Sequence, residues 1–274
     1  MKRIIDGTAA FGLMEPLTAL VVKAGEAILA VNRAAMRIDG KQDGSPVTEA
    51  DLAADRIIAD GLAQLAGDVP TLSEERTQLA SPPFQGSFFL IDPLDGTKEF
   101  VAGRDEFTVN LALVTDGVPL LGIVSAPALG LMWRGIVGHG AERVRFDGAT
   151  ITAAEPIRTR KLPTRGEPWI AAVSRSHGDA QSEAFIADRP NAVRMTCGSA
   201  VKFGRIAEGS ADIYPRFGPT SEWDVGAGCA VVTAAGGQVT DGKGGELRFG
   251  QRRDTGFIIP EFIAWGDPEA VGCH

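Results

Sequence analysis

The chain has 274 residues, is 44% hydrophobic and carries a formal net charge of −8. That length buries a sizeable core, as one large domain or two compact lobes. The acidic balance excludes a general binder of nucleic-acid polymers, which needs a basic surface. It does not exclude a small anionic substrate, because a local metal cluster inverts the field.

Residues 15–37 read as an amphipathic helix, with Leu17, Leu20, Val21, Ala24, Ile28, Val31 and Ala35 on one face. A polar, turn-rich loop follows over Asp39–Pro46. A second helix spans 48–66 on the stripe Ala54, Ile57, Ile58, Leu62 and Leu65. Thr48 suits its N-cap, with Asp51 three residues on as in a capping box. The short apolar run Val69–Ser73 ends in Glu74 and Glu75, and the run Phe88–Ile91 ends in Asp92-Pro93-Leu94-Asp95-Gly96-Thr97.

Phe107–Val114 and Val118–Ser125 flank an Asp116-Gly117 hairpin signal. With Leu131–Val137, Glu142–Phe146 and Ala149–Thr152 they predict a largely antiparallel sheet. Pro156, Pro163 and Pro168 mark residues 153–168 as a boundary, giving lobes of 1–164 and 165–274. Beyond it, strands at Trp169–Val173, Asn191–Thr196 and Ala211–Tyr214 alternate with helices over 179–188 and Ser199–Glu208. A small-residue helix runs from Asp224 to Ala235 and stops at Gly236-Gly237. Strands at Gln238–Thr240, Phe257–Ile259 and Phe262–Trp265 complete an α/β half.

No apolar run approaches a transmembrane span, and Met1–Gly7 shows no signal-peptide pattern. The scattered Cys197, Cys229 and Cys273 suit a reducing cytoplasm, which is the expected location.

The stretch after Ile91 carries the chemistry. A buried strand that stops at Asp92 and Asp95 can converge both carboxylates with the Leu94 carbonyl, the oxygen donors that Mg²⁺ takes. Gly96 and Thr97 then offer amides to phosphate oxygens at a helix start. Each acid also has a plain structural role open to it. Glu74 reads as loop charge, Asp92 and Asp95 as turn residues, and Asp51 and Asp224 as helix caps. Spacing alone does not bring Asp224 to Asp95. No His and Cys cluster suggests zinc, and Cys197 has no evident base partner. Gly242–Gly245 lacks phosphate-loop spacing.

Leu72-Ser73-Glu74-Glu75, Ile91–Phe100 and Glu222-Trp223-Asp224-Val225-Gly226-Ala227-Gly228 resemble, in order, the three signatures of the inositol monophosphatase-like superfamily of Mg²⁺-dependent, lithium-sensitive phosphatases. Within it, four features look most like the 3′(2′),5′-bisphosphate nucleotidases of the CysQ type. They are Lys98-Glu99-Phe100, Val173-Ser174-Arg175-Ser176-His177, Gly198–Phe203 (departing from the usual pattern at Ala200 and Val201), and Arg216 within Tyr214–Thr220. Inositol phosphatases carry a sugar-binding glutamate where Arg216 stands; a second phosphate wants a cation there.

The resemblance implies an α/β, α+β layered sandwich with the site between the lobes. It implies that Glu74, Asp92, Asp95, Asp224 and the Leu94 carbonyl hold two or three Mg²⁺ ions, and that Asp51 and Thr97 orient the attacking water. Gly96, Thr97 and Lys98 would bind the scissile phosphate, and His177, Ser199, Lys202 and Arg216 the rest of the nucleotide. The implied reaction turns adenosine 3′,5′-bisphosphate into AMP and phosphate. Inositol phosphate and histidinol phosphate stay open as substrates, as does a non-catalytic nucleotide-binding regulator. A homodimer also stays open, and so does peripheral association with the inner membrane, which some relatives show.

Overall fold

The computed structural model describes residues 3–33, 36, 38–40, 46–79, 83–176, 178–251 and 256–272. Helix α1 (Gly7–Ala30) starts well before residue 15. Asp6 caps it, its carboxylate accepting from the Ala9 amide at 2.9 Å, and Pro16 lies inside the helix. The helix ends before Val31, and Ala35 lies outside the described residues. β1 (Ile38–Gly40) and β2 (Pro46–Thr48) pair antiparallel and take up both ends of the stretch read as loop. Helix α2 (Glu49–Ala66) carries the expected capping box of Thr48 and Asp51.

Seven strands follow: β3 (Thr71–Ser73), β4 (Ser87–Asp95), β5 (Thr108–Thr115), β6 (Val118–Ala126), β7 (Leu131–Ile136), β8 (Gly140–Asp147) and β9 (Thr150–Ile157). They lie side by side in chain order, antiparallel except for the β3–β4 pair. Asp116 and Gly117 both adopt positive φ at the β5–β6 turn, as the hairpin signal requires. β9 runs through Pro156, beyond its expected end at Thr152; an outer strand tolerates a residue with no amide hydrogen.

The short helix α3 (Thr97–Val101) follows β4. Later elements are β10 (Ile170–Ser174), α4 (Ala180–Ala187), β11 (Val193–Cys197), α5 (Val201–Ala207), β12 (Ile213–Arg216), β13 (Thr220–Ser221), α6 (Glu222–Ala234), β14 (Gln238–Thr240), β15 (Ile258–Ile259) and β16 (Phe262–Trp265). Five of these strands form a mixed sheet in the order β11-β10-β12-β16-β14, and β13 pairs with β15.

Side-chain alternation along the strands builds the layers. Phe89, Ile91, Leu111, Leu113 and Ile123 of the first sheet pack on α1 and α2. Phe88, Leu90, Ala112, Val114 and Val124 face the other way, onto α5 and α6. Those helices meet the second sheet through Phe203, Tyr214, Phe262 and Ala264, and α4 covers its outer face through Ile186. The order is helix, sheet, helix, sheet, helix, the layered sandwich expected. Small residues let the middle layers touch: a Cβ at Gly122 would lie 2.2 Å from the Ala227 carbonyl oxygen of α6. Phe203 fills the same interface, and its truncation to alanine costs about 3–5 kcal/mol.

Candidate active site

A bulge in β4 aims the two central carboxylates. Asp92 stands opposite Asn110, but Asp95 stands opposite Thr108, so three steps on β4 match two on β5. The side-chain period of a strand is two, so one extra residue flips the face. Phe88, Leu90 and Asp92 already point towards α6, and the bulge brings Asp95 to that side and turns the Leu94 side chain into the opposite core. Pro93 sits inside the bulge, where no ladder hydrogen bond is needed. The Leu94 amide donates to Asp92 Oδ1 at 3.0 Å. Gly96 turns the chain at φ +90°, and a Cβ there would lie 3.2 Å from Ser199 Cβ.

Asp51 is buried beneath this turn. Its Oδ2 accepts from the Thr48 amide at 2.8 Å and the Thr48 hydroxyl at 2.7 Å, which completes the cap. Its Oδ1 lies 3.1 Å from Thr97 Oγ1, which also lies 3.2 Å from the Leu94 carbonyl oxygen. Capping and contact with Thr97 therefore coexist in one carboxylate.

Asp224 enters from the other side. It is the third residue of α6 rather than its N-cap, which is Ser221. Its Oδ2 accepts from Thr220 Oγ1 at 2.5 Å and the Ser221 amide at 3.2 Å. Asp95 Oδ2 accepts from Ser199 Oγ at 2.5 Å, with Thr108 Oγ1 at 3.4 Å and Asn110 Nδ2 at 3.5 Å.

Glu74, Asp92, Leu94, Asp95, Gly96, Thr97, Lys98, Ser199, Lys202, Arg216 and Asp224 line one cavity of about 240 Å³. Of the residues singled out in the sequence, Asp51 lies behind it, and His177 lies outside the described residues. A larger cavity of about 580 Å³ lies between α1, β7 to β9 and the end of α6. Arg134 in its lining is held by Glu15, Glu142 and Thr18, and none of the candidate metal ligands lines it.

Four acids around one cavity repel. Burial, then the neighbouring charges of Glu74, Asp95 and Asp224, push the Asp92 carboxyl well above its usual range. Burial and then Asp95 raise Asp224 to about 6, against hydrogen bonds from Thr220 and Ser221 and the charge of Arg216. Among the described residues no three His, Cys, Asp or Glu side chains close into a ready metal cage. The donors that line the cavity are nevertheless hard oxygens, and their mutual repulsion is what a divalent cation relieves.

The cations differ in availability. Lys202 is buried, and its ammonium donates to the Ser199 carbonyl at 2.5 Å and the Cys197 carbonyl at 3.5 Å. Arg216 spends Nη2 on the Pro219 carbonyl at 3.1 Å. Arg175, in the segment that resembles a nucleotide contact, forms an ion pair with Glu106 at 2.7 Å, and Glu106 also accepts from the Gly198 amide at 2.9 Å. The cavity walls also include Glu99, Ser174, Thr220 and Trp223, which stand in the motifs that carry the resemblance but have no role assigned from sequence. Glu99 is buried and accepts from Ser176; its place between Lys98 and Phe100 was the available signal.

The inositol monophosphatase family's sequence pattern matches residues 13–261. The chain belongs to the inositol monophosphatase family. Its relatives include the 3′(2′),5′-bisphosphate nucleotidase CysQ of Escherichia coli K12, 38% identical over 258 residues that cover 91% of this chain and 98% of that protein. The protein of the same name from Salmonella typhimurium is 39% identical over 258 residues, with the same coverage. Among solved structures, CysQ from Bacteroides thetaiotaomicron, a bacterial member of the family, superposes with a TM-score of 0.77 at 31% identity. It covers 92% of this chain and 96% of its own. An inositol monophosphatase from Zymomonas mobilis gives 0.74 at 28% identity, covering 95% of each chain. The layered sandwich is thus the family's fold. No helix among the described residues is long and apolar enough to cross a membrane.

Proposed function

We propose that this member of the family is a Mg²⁺-dependent 3′(2′),5′-bisphosphate nucleotidase that converts adenosine 3′,5′-bisphosphate to AMP and phosphate. The observation that carries the reading is the meeting of Glu74, Asp92, Asp95 and Asp224 on one cavity with Arg216 in its wall. The likeness to proteins named CysQ supports it.

Glu74, Asp92, Asp95, Asp224 and the Leu94 carbonyl would hold two or three Mg²⁺ ions, which when bound supply positive charge to the phosphate, the attacking water and the departing oxygen. Asp51 accepts the Thr97 hydroxyl hydrogen, which leaves a lone pair on Thr97 Oγ1 to accept from the attacking water. The water adds to phosphorus as the bond to the 3′ oxygen breaks; its proton leaves through Thr97 to Asp51, and the departing 3′ oxygen takes a proton from solvent to become the 3′ hydroxyl of AMP. Gly96, Thr97 and Lys98 cradle the scissile phosphate, and Arg216 receives the second phosphate. Lys202, which lines the cavity and donates to two carbonyls, keeps a third N–H and its positive charge for the nucleotide.

On this reading residues 1–164 supply most of the metal ligands and 165–274 supply Asp224 and the nucleotide contacts. The enzyme works in the cytoplasm, and Li⁺ inhibits it. Asp95→Asn tests the assignment directly. Mg²⁺-dependent turnover should fall at least about 10³-fold while the circular dichroism spectrum is unchanged; full activity in that variant refutes the ligand set.

A further inference from the structure

Asp51 and Asp55 lie four residues apart on α2, so they stand on one face, a turn from each other. Both are buried. Asp51 reaches forward to Thr97. Asp55 reaches sideways: its Oδ1 accepts from Ser73 Oγ at 2.6 Å and from Arg76 Nε at 3.2 Å, and its Oδ2 stands 3.0 Å from the same Arg76 nitrogen. Ser73 immediately precedes Glu74, and Arg76 follows two residues after it. One carboxylate therefore holds side chains on both sides of Glu74.

That stretch needs an external tie. β3 is a three-residue edge strand, and among the described residues it pairs with β4 alone. The 3₁₀ turn that follows, Glu74–Leu79, leaves helical geometry at Arg76 (φ −136°, ψ 31°), so local backbone regularity does not set where Glu74 stands. The register does matter: Ser73 pairs with Ile91, one residue before Asp92, and Glu74 and Asp92 line the same cavity.

We propose that Asp55, through Ser73 and Arg76, is a positioning residue that sets Glu74 against Asp92 on the same helix that carries Asp51. The inference rests on the reading of Glu74 as a metal ligand. It makes α2 a common ruler for two parts of the site: Asp51 fixes Thr97 and Asp55 fixes Glu74. Residues that orient ligands without touching the ion commonly change affinity by about 10–100-fold.

The test measures Mg²⁺ binding by calorimetry on the full chain without substrate, beside the Mg²⁺ dependence of turnover. Asp55→Ala should weaken Mg²⁺ binding about tenfold or more and raise the half-activating Mg²⁺ concentration in parallel, with kcat at saturating Mg²⁺ within about threefold of the parent. Asp55→Asn keeps an acceptor for Ser73 and should recover most of the affinity. Ser73→Ala removes one tie without emptying the buried position, and serves if Asp55→Ala does not fold; it should shift Mg²⁺ binding in the same direction. If Asp55→Ala or Ser73→Ala lowers the melting temperature with unchanged Mg²⁺ binding, the tie is only structural and the proposal is wrong. If the parent protein binds no Mg²⁺, the metal reading fails and takes this proposal with it.

Discussion

Ser199 Oγ stands 2.5 Å from Asp95 Oδ2 and 3.0 Å from the Asp95 carbonyl oxygen, so the turn before α5 grips the end of β4 across the cavity. Ser199 reaches this position at φ +50°, a left-handed conformation that costs a non-glycine residue on the order of 1–3 kcal/mol. The buried Lys202 ammonium on its carbonyl helps to hold it there.

Two substitutions separate the hydroxyl from the backbone. Ser199→Ala and Ser199→Gly both lose the bond to Asp95, and each should lower kcat/KM by roughly 10–100-fold, the equivalent of one charge-assisted hydrogen bond. Glycine also removes the left-handed strain, so Ser199→Gly should melt above Ser199→Ala. Equal activity in all three proteins would separate Ser199 from the work of Asp95.

The acid cluster makes stability depend on pH and metal together. In protein stripped of metal, Asp224 moves from its ordinary 3.8 to about 6, and Asp92 moves in the same direction. The folded chain then binds more protons than the unfolded chain within that window. Their contribution to stability is therefore lost as pH rises from about 4 through about 6. A cation among the carboxylates removes the repulsion. The increase in melting temperature on adding Mg²⁺ to EDTA-treated protein should be small near pH 5 and larger near pH 7.5. An increase independent of pH would show that the cation binds elsewhere.

Arg216 is expected to read the phosphate that is not cleaved. Arg216→Gln should lower kcat/KM for adenosine 3′,5′-bisphosphate by roughly 10–100-fold, the worth of one charged contact. Adenosine 3′-monophosphate lacks the 5′-phosphate, and its turnover should change little. The same loss on both substrates would place Arg216 with Asp224, whose charge it already offsets, rather than with the substrate.

Much of this site was legible because its acids cluster in short motifs at strand ends and helix starts. The apolar run into Asp92 and Asp95 is β4, and the capping box of Thr48 and Asp51 is present. The bulge that turns Asp95 to the side of Asp92 has a local cue in Pro93, but its register with β5 depends on the partner strand. Ser199 meeting Asp95 is a tertiary contact that no periodicity encodes. Sequence does not show that Lys202, which lines the cavity, donates to the Ser199 and Cys197 carbonyls. Asp55 had a signal, four residues after Asp51 on one helix face, which was hidden by the small and apolar residues around it. The start of α1 was missed because Gly7–Phe11 adds little to the apolar stripe and Pro16 resembles a first-turn residue.

The most direct test of the central claim is phosphate release from adenosine 3′,5′-bisphosphate, inositol 1-phosphate and histidinol phosphate, compared with Mg²⁺ and with added Li⁺. The expected result is a preference for the bisphosphate of about 100-fold in kcat/KM, near 2.7 kcal/mol of transition-state discrimination, with inhibition by Li⁺. A preference for either monophosphate would contradict the nucleotidase reading and leave Arg216 without its second phosphate.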